Sequence, residues 1–342
     1  MNKSKKRKTI LLANDAPWVP GDVFEYVYGE QRIDAIRQIS DLYPERITTA
    51  NSGSHQAALR EAEAIFSCWG MPPLTPAQLD EMPNLQAVFY ASGSVKGFAG
   101  PFLDRGIVVC SAVEANAIPV AEFCLAQILL SCKAAFRNSR QCRQGPWVET
   151  AMPSGTGAYG ETIAILGLGA ISRYLLQLLR HFQLRVVLVS GHASPKVMDE
   201  LGIAAVVDLE QAFREAFVVC NLMADRADNK KVLGHGLLGS MREGATFINT
   251  GRGAQVDEEA LIEVFRRRED LTALLDVQDP EPPVAGSALY TLPNVHLTSH
   301  IAGSKHNEVR RMADMMIEDF KAWDSGLPTR HRVKPEEFKG RA

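Results

Sequence analysis

The stretch Thr162-Ile163-Ala164-Ile165-Leu166-Gly167-Leu168-Gly169-Ala170-Ile171-Ser172 decides the fold. Its first five residues read as a buried strand, and Ile171–Phe182 reads as an amphipathic helix. Between them lies a G-x-G-x-x-[GAS] turn in the strand–turn–helix setting that makes such a match informative. Gly167 permits the tight turn, Gly169 lets the backbone approach a pyrophosphate, and small Ser172 allows close helix-on-strand packing. The helix start at Ala170 and Ile171 offers unpaired amides and a partial positive charge to phosphates. The alternative is a glycine turn that holds no ligand; the flanks favour the dinucleotide.

The next strand, Arg185–Val189, runs into Ser190-Gly191-His192-Ala193-Ser194-Pro195-Lys196, and the first acid is Asp199. A carboxylate at this strand end grips the ribose diol of NAD and repels a 2′-phosphate. Ser190 removes that repulsion, and His192, Ser194 and Lys196 could hold a phosphate. The cofactor reads as NAD(H) or NADP(H), tilted to NADP(H). The alternative is that these are solvated loop residues and NAD binds through other contacts.

Moving outward, apolar runs alternate with helical patterns. A first series of strands is Thr9–Ala13, Ala64–Cys68, Ala87–Tyr90 and Ile107–Ser111. A second is Thr162–Leu166, Arg185–Val189, Phe217–Leu222, Ala245–Asn249, Thr272–Val277 and Val295–Thr298. Helical patterns include Arg32–Leu42, Thr75–Met82 and Glu258–Arg268. Uninterrupted apolar strands between helices mean parallel sheets covered on both faces. The strands are too many for one sheet, so two α/β domains are expected. A long helix, Pro119–Gln144, begun by Pro119 and ended by Gly145-Pro146, marks the division. A second, Lys305–Trp323, follows the last strand, and a polar, proline-marked tail runs from Leu327 to Ala342.

Composition narrows the class. A length of 342 residues suits two or three domains, and 46% hydrophobic with 23% charged residues excludes a disordered chain or a coiled coil. With 37 basic against 40 acidic residues there is no general positive field for a nucleic-acid backbone. Glu122 and Gln127 interrupt the longest apolar run, Val120–Leu130, so no membrane span is expected. Basic Met1–Lys8 reads as a frayed, solvated end, and Thr9–Ala13 is too short for the core of a signal peptide. The six cysteines, at 68, 110, 124, 132, 142 and 220, form no C-x-x-C pair. They read as buried free thiols of a reducing compartment, the cytoplasm by default, with no disulfide and no metal site.

Three segments carry chemistry: Ile248-Asn249-Thr250-Gly251-Arg252-Gly253-Ala254-Gln255-Val256-Asp257, Leu275-Asp276-Val277-Gln278-Asp279-Pro280-Glu281-Pro282, and Leu297-Thr298-Ser299-His300-Ile301-Ala302-Gly303. Each ends a strand at the carboxyl edge, where open α/β sheets bind ligands.

These motifs, in this order behind the glycine turn, resemble the D-isomer-specific 2-hydroxyacid dehydrogenase family over nearly the whole chain. Ala115–Glu122 resembles the opening of the family's interdomain helix, and Arg137 and Gly145-x-Trp147 match the stretch before its cofactor domain. The resemblance implies two doubly wound parallel-sheet domains. A Rossmann cofactor domain, 119–303, would be inserted into a flavodoxin-like substrate domain made of 1–118 and 304–342. It also implies a homodimer formed through the cofactor domain and a small 2-oxo or 2-hydroxy acid as substrate.

In the implied roles, Arg252 clamps the substrate carboxylate, for which its planar fork is suited. His300 is the general acid/base, and Glu281 pairs with it and holds its charged form. Asp276 contacts the nicotinamide amide or, in the alternative, caps a turn. Thr250 and Gly303 line the cofactor. Backbone amides of Ser92-Gly93-Ser94 bind the substrate carboxylate and Lys96 assists, unless it is a plain solvated lysine. Specificity would sit on the loops Trp18–Phe24, Trp69–Pro73 and Ser92–Gly97, while Trp147 packs at the hinge.

Some positions depart from the family pattern. Where it commonly shows His-x-Pro and then threonine, this chain has Leu222-Met223-Ala224-Asp225-Arg226, which puts cofactor preference in doubt. Arg226 could reach a phosphate or be plainly exposed. Glu281 stands where formate dehydrogenases of the superfamily have glutamine, so formate is disfavoured. No regulatory domain follows the last helix, which sets aside the long allosteric phosphoglycerate dehydrogenases. The implied activity is a glyoxylate- or hydroxypyruvate-type reductase. The alternative from another class is a dinucleotide-sensing binding protein like the C-terminal-binding-protein corepressors. A methyltransferase, whose glycine turn can look similar, has no use for the Arg, Glu and His turns.

Overall fold

The computed structural model describes residues 6–145, 157–191 and 193–338. The chain divides into two compact units, Met1–Asn116 with Ser304–Ala342, and Ala117–Gly303.

The first unit is built on five parallel strands: β1 (Lys8–Leu12), β2 (Asp41–Ile47), β3 (Ala64–Ser67), β4 (Ala87–Tyr90) and β5 (Val108–Ser111). Their order, β2-β1-β3-β4-β5, is the flavodoxin-like one. Side chains alternate across the sheet. Leu11, Phe66, Phe89 and Cys110 enter one core cluster with Met312, Met316 and Phe320 of the helix Val309–Asp324. Ile10, Ile65, Val88 and Val109 enter the other, with Phe102. The ring of Phe320 lies 5.1 Å from Phe66 and 5.4 Å from Phe89. Two buried faces explain why these strands read as unbroken apolar runs.

The strand β2 corrects the sequence reading, which carried a helix to Leu42. That helix is Gly29–Ile39; Ser40 is extended, and the chain turns into a strand. As an edge strand β2 needs one paired side only, so it tolerates exposed Asp41, Pro44 and Glu45 and gives no apolar run. The basic start is not frayed from Arg7 onward: Arg7 meets Glu63 at 2.7 Å and Asp324 at 3.2 Å, and Lys8 meets Glu61. The tail is held to the sheet as well. Arg332 bridges Cys110 antiparallel, and Val333, fully buried, donates its N–H to Val109 O at 2.7 Å. Asp319 anchors this segment, accepting from the Arg330 and His331 amides and lying 3.0 Å from His331 Nδ1. Burial works to raise the Asp319 carboxyl, but the His331 hydrogen bond and charge outweigh it and leave it lowered. His331 is raised by its hydrogen bond to Asp319, against burial.

The second unit carries seven parallel strands: β6 (Thr162–Leu166), β7 (Arg185–Val189), β8 (Ala205–Val206), β9 (Val218–Asn221), β10 (Thr246–Asn249), β11 (Thr272–Leu275) and β12 (Val295–Leu297). The order is β12-β11-β10-β9-β6-β7-β8, the doubly wound Rossmann arrangement with one further strand. The two-residue edge strand β8, with Val206 exposed, left no pattern to read.

The expected helix Pro119–Gln144 is two helices, Val113–Cys132 and Ala135–Gln144, broken at Ala134 with φ +49°. Pro119 does not start the first; it lies in its interior. There it lacks the amide that would bond the carbonyl of Ala115. At 20 residues this helix is long and apolar enough to span a bilayer by length and composition, contrary to the short interrupted run read from sequence. Half of it is buried inside the chain, with Val120, Ala121, Cys124, Ile128 and Cys132 in the core of the second unit. The last helix starts later than read, at Val309, after a 3-10 turn His306–Glu308. Five cysteines are buried, but Cys142 is exposed. Burial pushes the Cys110 thiol up to about 12 and the Cys132 thiol up to about 11.

Candidate active site

β6 lies between β7 and β9, where the strand order reverses. Ligands of open α/β sheets bind beyond the carboxyl ends of the strands at such a point. Gly167 there has φ +92°, and a Cβ on it would stand 2.9 Å from Leu222 O and Met223 Cα. Only glycine lets the turn after β6 approach the loop after β9 so closely. A Cβ on Gly169 would meet nothing within 4 Å, and no side chain caps the helix Ala170–Leu179 that begins next to it. Ala170 and Ile171 open that helix, and Ser172 is fully buried beneath it. An uncapped helix start facing open space fits the pyrophosphate of a dinucleotide.

On the ribose side Ser190 is half-buried at the end of β7. Ser194 Oγ accepts from Val197 N at 3.4 Å and caps the helix Pro195–Leu201, and exposed Lys196 lies 3.8 Å from Glu200. Arg226 forms two hydrogen bonds to Asp228, at 2.9 and 2.7 Å. Its charge is matched locally. His192, Pro146 and Trp147 lie outside the described residues.

The three turns named from sequence follow adjacent strands in register, Asn249 opposite Leu275 and Leu275 opposite Leu297. Arg252 is half-buried, and its Nη1 donates to Gly251 O at 2.7 Å. Among the described residues no carboxylate pairs with it. A Cβ on Gly253 would overlap the backbone of Gln278, so the arginine turn rests against the segment that leads to Glu281. Thr250 turns its hydroxyl to Cys124 Sγ, 3.1 Å away.

Asp276 is 1% exposed. Its Oδ1 accepts from Thr298 Oγ1 at 2.6 Å and Ile301 N at 2.8 Å, its Oδ2 from Ala302 N at 3.0 Å, and its carbonyl from His300 N at 3.0 Å. One residue thus ties the turn from Thr298 to Ala302. The turn holds His300 at φ +55°, a left-handed conformation that non-glycine residues rarely take. His300 Nδ1 lies 2.8 Å from Glu281 Oε1. Both side chains are about half exposed, at 50% and 40%. A histidine fixed through one ring nitrogen presents the other, Nε2, for proton exchange.

Ser92, Gly93, Ser94 and Lys96 belong to the first unit, in the loop after β4. Ser92 is buried, and the carbonyls of Ser92 and Gly93 accept from Ser111 Oγ at 3.1 and 2.6 Å. Lys96 is exposed, and its amide reaches Ser94 Oγ at 3.5 Å.

Sequence reasoning missed Asn221 and read Asn249 and Gln255 only as parts of their motif. All three are buried, at 0%, 2% and 1% exposure, and they interlock through their side-chain amides. The available signal was an amide side chain closing each of two otherwise apolar strands.

Residues 125–302 match the family described as D-isomer specific 2-hydroxyacid dehydrogenase, NAD binding domain. The chain is 26% identical over 306 residues to a glyoxylate/hydroxypyruvate reductase B of Klebsiella pneumoniae, which covers 88% of this chain and 92% of that one. It is 28% identical over 240 residues to a D-3-phosphoglycerate dehydrogenase of Archaeoglobus fulgidus, over 69% of this chain and 45% of the relative. Its fold is similar to that of a phosphoglycerate oxidoreductase from Rhizobium etli, with TM-score 0.78 and 22% identity over 97% and 99% of the two chains. With the matched family domain spanning just over half of its length, the chain belongs to the D-isomer specific 2-hydroxyacid dehydrogenase family.

Proposed function

We propose that this protein reduces a small 2-oxo acid of the glyoxylate or hydroxypyruvate kind to the D-2-hydroxy acid. The observation that carries this reading is the 2.8 Å His300–Glu281 pair, next to an arginine turn whose guanidinium pairs with no carboxylate among the described residues. Arg252 holds the substrate carboxylate and draws charge towards the C2 oxygen. Glu281 accepts a hydrogen bond from His300 Nδ1–H and stabilises the imidazolium, whose Nε2–H gives its proton to that oxygen as C2 is reduced, leaving neutral imidazole. A bound nicotinamide dinucleotide supplies the hydride to C2. Asp276 keeps His300 in place, and its Oδ2, with one hydrogen bond from Ala302, retains a lone pair for the carboxamide of the cofactor. NADP(H) is preferred because Ser190 stands where an acid would repel a 2′-phosphate; the chain works as a homodimer joined through its cofactor units.

The test is loss of reduced-nicotinamide absorbance when the purified protein meets NADH or NADPH and a panel of 2-oxo acids. Turnover with glyoxylate or hydroxypyruvate supports the reading, and none with either cofactor on the whole panel overturns it. His300→Asn lowers kcat by about 10²-fold or more, the usual share of general acid/base catalysis. Light scattering at twice the chain mass checks the dimer.

A further inference from the structure

We propose that Asn221 and Gln255 are positioning residues that lock the Arg252 turn to the Met223–Ala224 loop, so that substrate carboxylate and dinucleotide are placed by one buried unit. The inference rests on the reductase reading for what the two loops hold, but the linkage itself is independent of it.

The hydrogen bonds close on themselves. Asn221 Nδ2 donates to Asn249 Oδ1 at 2.9 Å and to Gln255 Oε1 at 2.7 Å, and its Oδ1 accepts from Met223 N at 3.2 Å. Gln255 Nε2 donates to the carbonyls of Met223 and Ala224, at 3.0 and 2.8 Å. Gln255 Oε1 also accepts from Arg252 N at 3.3 Å. Asn249 Oδ1 accepts from Gly251 N, and its Nδ2 donates to Arg252 O at 3.3 Å. Both N–H groups of Asn221 and of Gln255 thus have acceptors, which fixes the sense of each amide. A network satisfied to this degree rigidifies its surroundings, whereas one broken member leaves buried groups unpaired. The loop it grips is the one against which Gly167 closes. It is also the loop where this chain departs from the family pattern. There the Gln255 amide donates to the carbonyls of Met223 and Ala224, and Asn221 Oδ1 accepts from the Met223 amide.

Gln255→Leu and Asn221→Leu are expected to raise both the KM for the oxo acid and the Kd for the reduced dinucleotide by about tenfold. They lower kcat less, because His300 and Glu281 stand on other turns. The double variant is no worse than the worse single one, since each breaks the same unit. If leucine prevents folding, Gln255→Glu keeps the shape but sets a carboxylate against two carbonyls. Its KM falls as pH is lowered and protonation restores a donor, a trend absent from the wild type. Independently of turnover, hydrogen exchange at the Met223, Gly251 and Arg252 amides quickens together in each variant. Folded variants whose KM and Kd stay within twofold of wild type, or that loosen one loop without the other, overturn the proposal. A wild type without turnover overturns the reductase reading instead, and the exchange data then still decide the linkage.

Discussion

The two flanks of the seven-stranded sheet are built differently. Beyond β10–β12, the polar side chains of the candidate site are bound to one another or to backbone: Asp276 alone takes three hydrogen bonds from its neighbouring turn. Beyond β6 and β7 the site is backbone, a glycine turn and an uncapped helix start, and the charged side chains nearby pair locally on the surface. The lesson is a division of labour. In the proposed reaction proton transfer needs atoms fixed to a fraction of an ångström, and His300 is braced there by Glu281 and Asp276. Pyrophosphate binding draws on amides that every residue carries, so the side chains there can change and alter preference without dismantling the site.

The largest effect should come from unbracing. Asp276→Ala leaves the Ile301 and Ala302 amides without their acceptor and frees the His300 turn. At about 1–3 kcal/mol per buried group left unpaired, the variant should lose several kcal/mol in urea denaturation. Its kcat should drop about 10²-fold; a near-normal kcat would show that the bracing is idle. Next is Gly167→Ala, which puts a methyl group 2.9 Å from the Leu222 carbonyl at a left-handed position. Its dinucleotide Kd should rise about tenfold or more, while the bound fraction keeps a near-normal kcat, because His300 and Glu281 stand on other turns. Ser190→Asp comes third. It should move the ratio of NADPH to NADH affinity towards NADH by about tenfold, roughly 1.4 kcal/mol, with little change in kcat. An unchanged ratio would place cofactor choice elsewhere.

The smallest effect is a control outside both flanks. His331 is raised by its hydrogen bond to Asp319, so its stabilisation is complete below its unfolded value near pH 6.5 and is lost as pH climbs through the folded one. Asp319 is lowered, so its share is present above the unfolded carboxylate value and is lost only in strong acid. The urea midpoint should therefore decline from about pH 6 to pH 8, and His331→Gln should flatten that decline without touching kcat.

Much of this was legible in the residues. The central strands of both sheets could be read because two covered faces demand continuous apolar side chains. Arg252, Glu281 and His300 stood out because they lie in turns at the carboxyl ends of successive strands, in an order that resembles the family's. Edge strands β2 and β8 escaped because one-sided pairing imposes no such pattern. Pro119 misled because proline usually opens helices, while here burial along Val120–Cys132 outweighs one missing hydrogen bond. The linkage of Asn221 and Gln255 was hidden for a different reason. An amide advertises no chemistry of its own, and its meaning appears only when its partners, about thirty residues away, are folded against it.

The left-handed backbone at His300 has a consequence for how such a protein is improved. An imidazole there costs on the order of 1 kcal/mol relative to glycine. Screening for heat resistance alone would therefore tolerate or even favour the loss of this side chain, so a stabilised descendant has to be assayed for turnover at every round.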